Sequence, residues 1–81
     1  MAGTIETLAA KLAEDTMKVM DETGQERLFV EVGNVLAAAS QSLEEAYLTE
    51  VRVRMAERKA RQFLVKKLSD HRAKTKAIEK H

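Results

Sequence analysis

Apolar residues recur at intervals of three and four along the first 47 residues, and this spacing constrains the fold more than any other feature of the chain. One stripe runs from Ile5 to Met20, and a second runs from Leu28 to Tyr47. Such intervals place side chains on one face of an α-helix. The chain has no Pro and only three Gly, so little in it would interrupt a helix. The sequence therefore predicts an all-α fold.

The first predicted helix spans 4–22 and ends before Gly24, because glycine readily adopts the left-handed conformation that closes helices. Thr23 and Glu26 have the spacing of a capping box for the next helix. Residues 28–34 (LFVEVGN) also resemble a short β-strand, but the sequence offers no comparable second strand to pair with them. The two helices are expected to form an antiparallel hairpin.

The second predicted helix is long and changes character along its length. It spans 25–70, about 69 Å, whereas the first helix is about 27 Å long at 1.5 Å per residue. The first helix can cover the second only as far as about Ser42 in a simple hairpin. Beyond Tyr47 the apolar stripe fails, and apolar residues return to that face only over 64–68.

An alternative arrangement breaks the second helix near Ser40–Ser42, with Ser42 and Glu45 as a capping box. The basic half would then fold back as the third helix of a bundle. The unbroken helix is the preferred prediction. In either case residues 1–81 form a single helical domain, with a frayed basic tail over 71–81.

The charges are segregated along the chain. Residues 1–50 contain three basic and ten acidic residues, a net charge of −7, and residues 51–81 contain eleven basic and three acidic residues, a net charge of +8. Opposite charges on the two halves favour their association, within one chain or between chains. The basic residues expected to pair with acids or to bind a polyanion are Arg52, Arg54, Arg58, Lys59, Arg61, Lys66 and Lys67.

Four charged residues of alternating sign continue the line of the second apolar stripe: Glu50, Arg54, Glu57 and Arg61. Each Glu precedes an Arg by four residues, and such pairs stabilise a helix by about 0.2–0.5 kcal/mol each. They either set the register against a partner helix, as charges beside a coiled-coil seam do, or form a self-paired solvated face.

The predicted function is non-enzymatic protein–protein interaction or assembly, as an adaptor, a small chaperone-like protein or a structural subunit. A chain this short buries only about 60–65% of its unfolded surface. A homo-oligomer or a helical protein partner is therefore expected to complete the fold. The surface expected to dimerise or to dock on a partner helix consists of Leu28, Phe29, Val32, Val35, Leu36, Leu43 and Tyr47.

The alternative function is polyanion or nucleic-acid binding by the basic half, because clustered Lys and Arg bind phosphates regardless of sequence. The aromatic residues are too few to predict a base-stacking platform. A third interpretation is a basic surface for anionic membranes, although residues 52–67 lack the clean apolar face that this needs.

No cofactor, metal, small-molecule substrate or catalytic residue is predicted. His71 and His81 are the only histidines, and Asp70 beside His71 points about 100° away from it on a helix, so the two cannot chelate together. Acid pairs such as Asp21 and Glu22 are better explained as solvated helix residues than as a general acid–base pair. No apolar run approaches the length of about 20 residues that spans a bilayer. The absence of Cys is typical of a reducing compartment, so a cytoplasmic location is predicted.

Overall fold

The chain folds into three α-helices in the computed structural model, which describes residues 3–79, with side chains for residues 3–74. The helices are α1 (Thr4–Thr23), α2 (Leu28–Ala39) and α3 (Gln41–Glu79). Residues 3–79 contain no β-strand, so the strand alternative for residues 28–34 is wrong. The all-α class predicted from the apolar spacing is confirmed.

Gly24 ends α1 in the left-handed conformation, with a φ angle of 72°. Its backbone N–H donates to the carbonyl oxygen of Met20 at 2.8 Å, which satisfies one of the carbonyl groups left free at a helix end. This is the position at which the sequence predicts that the first helix stops.

The start of α2 differs from the prediction. The hydroxyl of Thr23 donates to the carbonyl oxygen of Val19 at 2.8 Å, within α1. α2 begins only at Leu28, and no side chain caps its N-terminus. The predicted capping box of Thr23 and Glu26 is therefore wrong, because Thr23 still belongs to the preceding helix.

A single residue, Ser40, separates α2 from α3. Its backbone is extended, with φ −159° and ψ 107°. Its N–H donates to the carbonyl oxygen of Leu36 at 2.7 Å, and its hydroxyl accepts the N–H of Leu43 at 3.2 Å. Ser40 thus caps both helices. The break lies within the Ser40–Ser42 stretch of the alternative prediction and not in an unbroken helix over 25–70, and Ser40, rather than Ser42, supplies the N-cap.

The core lies where the three helices meet. Two alanines on one face of α1 leave room for larger side chains of α3. Gly33 of α2 is buried as well, and a Cβ there would lie 3.4 Å from the Leu48 side chain, so its small size permits a close helix contact. The buried apolar residues are Ala9, Ala13, Met17, Tyr47 and Val51.

Tyr47 connects the three helices. Its fully buried hydroxyl donates to the carbonyl oxygen of Phe29 on α2 at 3.0 Å and lies 3.4 Å from the hydroxyl oxygen of Thr16 on α1. Burial raises the pKa of Tyr47, because a phenolate would lose its hydration there. The ring therefore supplies both apolar packing and a satisfied polar group to the core.

α1 and α3 lie side by side and run in the same direction. Ile5 and Ala46, near the starts of the two helices, line the same concave surface. Near the end of α1, Asp21 binds Arg58. α1 therefore covers α3 as far as Arg58, well past the limit expected for a simple hairpin, because the chain reverses at Ser40 and α3 returns along α1.

Beyond Arg58, α3 continues without a neighbouring helix. We call α1, α2 and α3 up to Arg58 the body, and residues 59–79 the arm, which is about 32 Å long at 1.5 Å per residue. The radius of gyration is 18.2 Å, against about 12 Å for a compact domain of this length. α3 stays helical through Glu79, into the tail predicted to fray, because the tail contains no Pro or Gly. Residues 80 and 81, including His81, lie outside the described residues.

Candidate interaction surface

The arm exposes to solvent every side chain that the structure describes, from residue 59 to residue 74. Helical stability in proteins comes mostly from packing an apolar face against other elements. The arm lacks such packing in the single chain. Its surface is therefore fully available to a partner.

Four large apolar side chains on the arm are exposed: Phe63 by 63%, Leu64 by 66%, Val65 by 60% and Leu68 by 48%. Leu64, Val65 and Leu68 lie within an arc of about 100° on the helix, at 3.6 residues per turn. Phe63 lies outside this arc, beneath the ammonium group of Lys67, which is 5.5 Å from the ring centroid. We call Leu64, Val65 and Leu68 the arm patch.

α1 carries a second set of exposed apolar side chains beside its core face. Ile5 is 41% exposed, Leu8 53% and Val19 43%. Leu12 lies on the same line and is partly buried. Steps of three, four and seven residues match the a and d positions of a helix that packs lengthwise along another helix. We call these four residues the α1 stripe.

One ion pair joins the end of α1 to α3. The guanidinium of Arg58 donates to both carboxylate oxygens of Asp21, at 2.8 and 2.9 Å. These hydrogen bonds, and the attraction between the charges, hold the pKa of Asp21 below its ordinary value of 3.8. The same contact raises the pKa of Arg58. Both side chains remain about half exposed to solvent, so water screens the pair.

The two Glu–Arg pairs predicted along α3 are present as ion pairs. Arg54 binds the carboxylate of Glu50 and also donates to its carbonyl oxygen at 3.2 Å. The Nε of Arg61 donates to the carboxylate of Glu57 at 2.7 Å. These contacts lie within one helix and need no partner. Their predicted role in setting the register of a partner helix stays a prediction.

Several basic side chains between residues 52 and 67 are not neutralised by an acidic side chain. Among the side chains of residues 52–67, Arg52, Lys59, Lys66 and Lys67 have no ion-pair partner within residues 3–74, although the Lys67 ammonium group lies over the Phe63 ring. Residues 59–81 contain eight basic and two acidic residues, a net charge of +6, whereas residues 1–58 contain six basic and eleven acidic residues, a net charge of −5. Residues 1–58 and residues 59–81, the arm with the two residues that follow it in the sequence, thus carry opposite net charges.

Most of the predicted docking residues are buried or partly buried within the body. Tyr47 is fully buried, so it lies in the core of the single chain rather than on its surface. Leu28 is partly buried, whereas Val35 is 73% exposed. The other four pack against the core of the same chain: Phe29, Val32, Leu36 and Leu43.

The α1 stripe was not recognised from the sequence as a surface of its own. Periodicity groups Ile5, Leu8 and Val19 with residues of the core face, because all are apolar and lie on neighbouring angles. The signal for this second surface was the width of the combined apolar face of α1, because a single neighbouring helix does not cover so wide an arc. The arm patch was visible in the sequence as the return of apolar residues at Leu64, and the preferred long helix leaves that segment projecting beyond the first helix.

Within the described residues, no three His, Asp or Glu side chains come together as metal ligands would. None of the helices, over the same residues, is long and apolar enough to cross a bilayer. A shallow concave surface on α3, which includes Arg58, Gln62 and Val65, is lined by that helix alone.

Comparison of the chain with protein-family models, with curated proteins and with solved structures found no match.

Proposed function

We propose that this chain is a non-enzymatic assembly module, in which a three-helix body presents a basic helical arm to a helical protein partner. The observation that carries this proposal is the exposure of the arm patch, on a part of α3 that no other described residues cover. A cytoplasmic setting belongs to the same proposal.

The chemistry of the arm supports a partner that is itself a helix. The arm patch is narrow, follows the axis of α3 and has arginine side chains beside it: Arg61 lies on the same face of the helix, and Arg72 lines a shallow surface with Val65 and Leu68. A second amphipathic helix buries such a strip by packing lengthwise along it. The concave surface along α3 is open and lined by one helix, which favours binding of an elongated partner over enclosure of a small substrate.

Sedimentation of the full chain after nuclease treatment tests the proposal. We expect the wild-type chain at micromolar concentration to have a mass above the 9.1 kDa of one copy. The double substitution Leu64→Glu with Leu68→Glu should reduce the mass to that of one copy, because it puts carboxylates into the buried strip. Val35→Glu is the matched control, since Val35 is exposed but lies on α2.

Two results would contradict the proposal. One is a wild-type chain that stays a single copy across the micromolar range at both low and high salt. The other is an arm double variant that associates as strongly as the wild type.

A second candidate function is polyanion binding by the arm, favoured by the unpaired and exposed Lys59 and Lys66. If five to seven basic side chains contact phosphates, the logarithm of the affinity for DNA should fall against the logarithm of salt concentration with a slope of about −4.5 to −6. Sub-micromolar binding at about 0.15 M salt with such a slope would favour this function. A slope near zero would exclude it.

A further inference from the structure

We infer that the partner of the arm is a second copy of this chain, and that the arm patch of each copy packs on the α1 stripe of the other. The two copies would form a reciprocal dimer with each arm lying along the opposite body. This inference rests on the proposed function and names the partner of the same surface.

Charge complementarity is the first argument for a second copy. The arm region, residues 59–81, has a net charge of +6, and the remainder, residues 1–58, has a net charge of −5. Two arms packed against each other would bring like charges together, whereas an arm packed on a body brings opposite charges together. The arm of a second copy thus meets an acidic surface that the same sequence supplies.

The distribution of apolar side chains is the second argument. The body leaves the α1 stripe exposed, with Leu8 the most exposed of its residues at 53%. Asp15 and Glu22 continue the three- and four-residue steps of the stripe and lie about 50° and 70° from its centre at 3.6 residues per turn. Asp15 also forms an ion pair with Lys11 at 3.3 Å, whereas Glu22 forms none among the described residues. An apolar strip with acidic neighbours is the complement of the arm patch, which has basic neighbours.

The direction and length of the helices fit such a dimer. α1 and α3 run parallel within the body. A two-fold axis perpendicular to α3 therefore places the arm of one copy antiparallel to α1 of the other. The arm is about 32 Å long, and the 20 residues of α1 span about 30 Å. Two identical interfaces then close the assembly, which stops at two copies.

Two variants of the full chain test the inference. The arm variant carries Leu64→Glu and Leu68→Glu, and the stripe variant carries Leu8→Lys and Val19→Lys. We expect each to raise the dimer dissociation constant by about 30-fold or more, as the loss of anchor residues does at protein interfaces. All four positions are exposed, so circular dichroism should show unchanged helicity. Leu8→Lys alone is the milder stripe variant, to be used if the double variant loses helicity.

Mixing the arm variant with the stripe variant is the decisive measurement. Each mixed dimer contains one wild-type interface, formed by the stripe of the first variant and the arm of the second. Its other interface pairs introduced Glu with introduced Lys. We therefore expect association to return on mixing, whereas each variant alone stays a single copy.

Salt concentration provides an independent readout. Attraction between an arm and an oppositely charged body weakens as salt screens it. Wild-type association should therefore weaken from low to high salt. Apolar pairing of two like-charged arms should strengthen instead, so that trend would overturn the inference.

The outcomes separate this inference from the proposed function. If the stripe variant dimerises like the wild type while the arm variant does not, the inference fails and the arm remains an interaction surface. A single-copy wild type, or an arm variant that dimerises normally, contradicts both. Failure of the mixture to associate, with both variants helical, overturns the reciprocal arrangement alone.

Discussion

The same helix, α3, passes through two regions with opposite surroundings. In the body its side chains at Tyr47 and Val51 are fully buried, whereas in the arm Leu64 is 66% exposed. The backbone is helical in both regions, and both contain apolar residues at helical spacing. The regions differ in the presence of α1 and α2, which cover the first part of α3 and end before the second.

This comparison shows that helical periodicity identifies a face but does not identify what covers the face. The core forms where small residues of α1 allow a close approach, and Tyr47 fills the space between the helices. Within residues 3–79, no corresponding helix lies beside the arm. Apolar residues of similar kind thus stabilise the fold in one region and remain available to a partner in the other.

The largest expected difference between the regions concerns their aromatic residues. Tyr47→Ala should lower the free energy of unfolding by about 3–5 kcal/mol, because it removes a buried ring from the junction of three helices. Phe63→Ala, in the exposed arm, should change it by about 0.5 kcal/mol or less. Urea denaturation at a concentration where the wild type is a single copy measures both. Similar losses at the two positions would show that the arm is packed like the body.

A matched pair of leucines gives a smaller contrast. Leu43→Ala removes a side chain that packs against the core and should cost about 2 kcal/mol, near the lower end of values for buried leucines because Leu43 is partly exposed. Leu64→Ala should cost about 0.5 kcal/mol or less in the single copy. The same denaturation experiment applies, and a loss below about 0.5 kcal/mol at Leu43 would remove the contrast.

A backbone substitution should affect the body without affecting the arm. Gly24→Ala forces a Cβ into the left-handed conformation and should cost about 1 kcal/mol. Asn adopts this conformation more readily, so Gly24→Asn should cost less. Thermal denaturation monitored by circular dichroism measures the effect. An unchanged melting temperature for Gly24→Ala would mean that the turn rearranges without strain.

The smallest expected effect lies at the junction of the body and the arm. Because the pKa of Asp21 is lowered in the folded chain, its ion pair with Arg58 stabilises the fold above the ordinary pKa of 3.8. That contribution should disappear as pH falls through the lower, folded value. Urea denaturation of Asp21→Asn and of the wild type should therefore differ slightly at neutral pH and converge in acid. If the difference in unfolding free energy between the two proteins grew as pH fell, the ion pair of Asp21 with Arg58 would not stabilise the fold in this way.

Local features of the fold were predictable from the sequence because they depend on near neighbours in the chain. The apolar spacing gave the helical class, and the left-handed preference of glycine located the end of α1 at Gly24. The ion pairs of Glu50 with Arg54 and of Glu57 with Arg61 follow from a separation of four residues on a helix. The segregation of charge is likewise a property of the sequence itself.

Tertiary structure decided the features that join distant parts of the chain. Ser40 interrupts the helix although neither Gly nor Pro marks the position, and the reversal there brings α3 alongside α1. That packing buries Tyr47, brings Asp21 to Arg58 across 37 residues of sequence, and ends where α1 ends. Periodicity reports only the angle of a side chain about its own helix, whereas burial depends on which other helix lies at that angle. The exposure of Leu64 follows because α1 ends before the arm begins, and the folded chain shows where along α3 that happens.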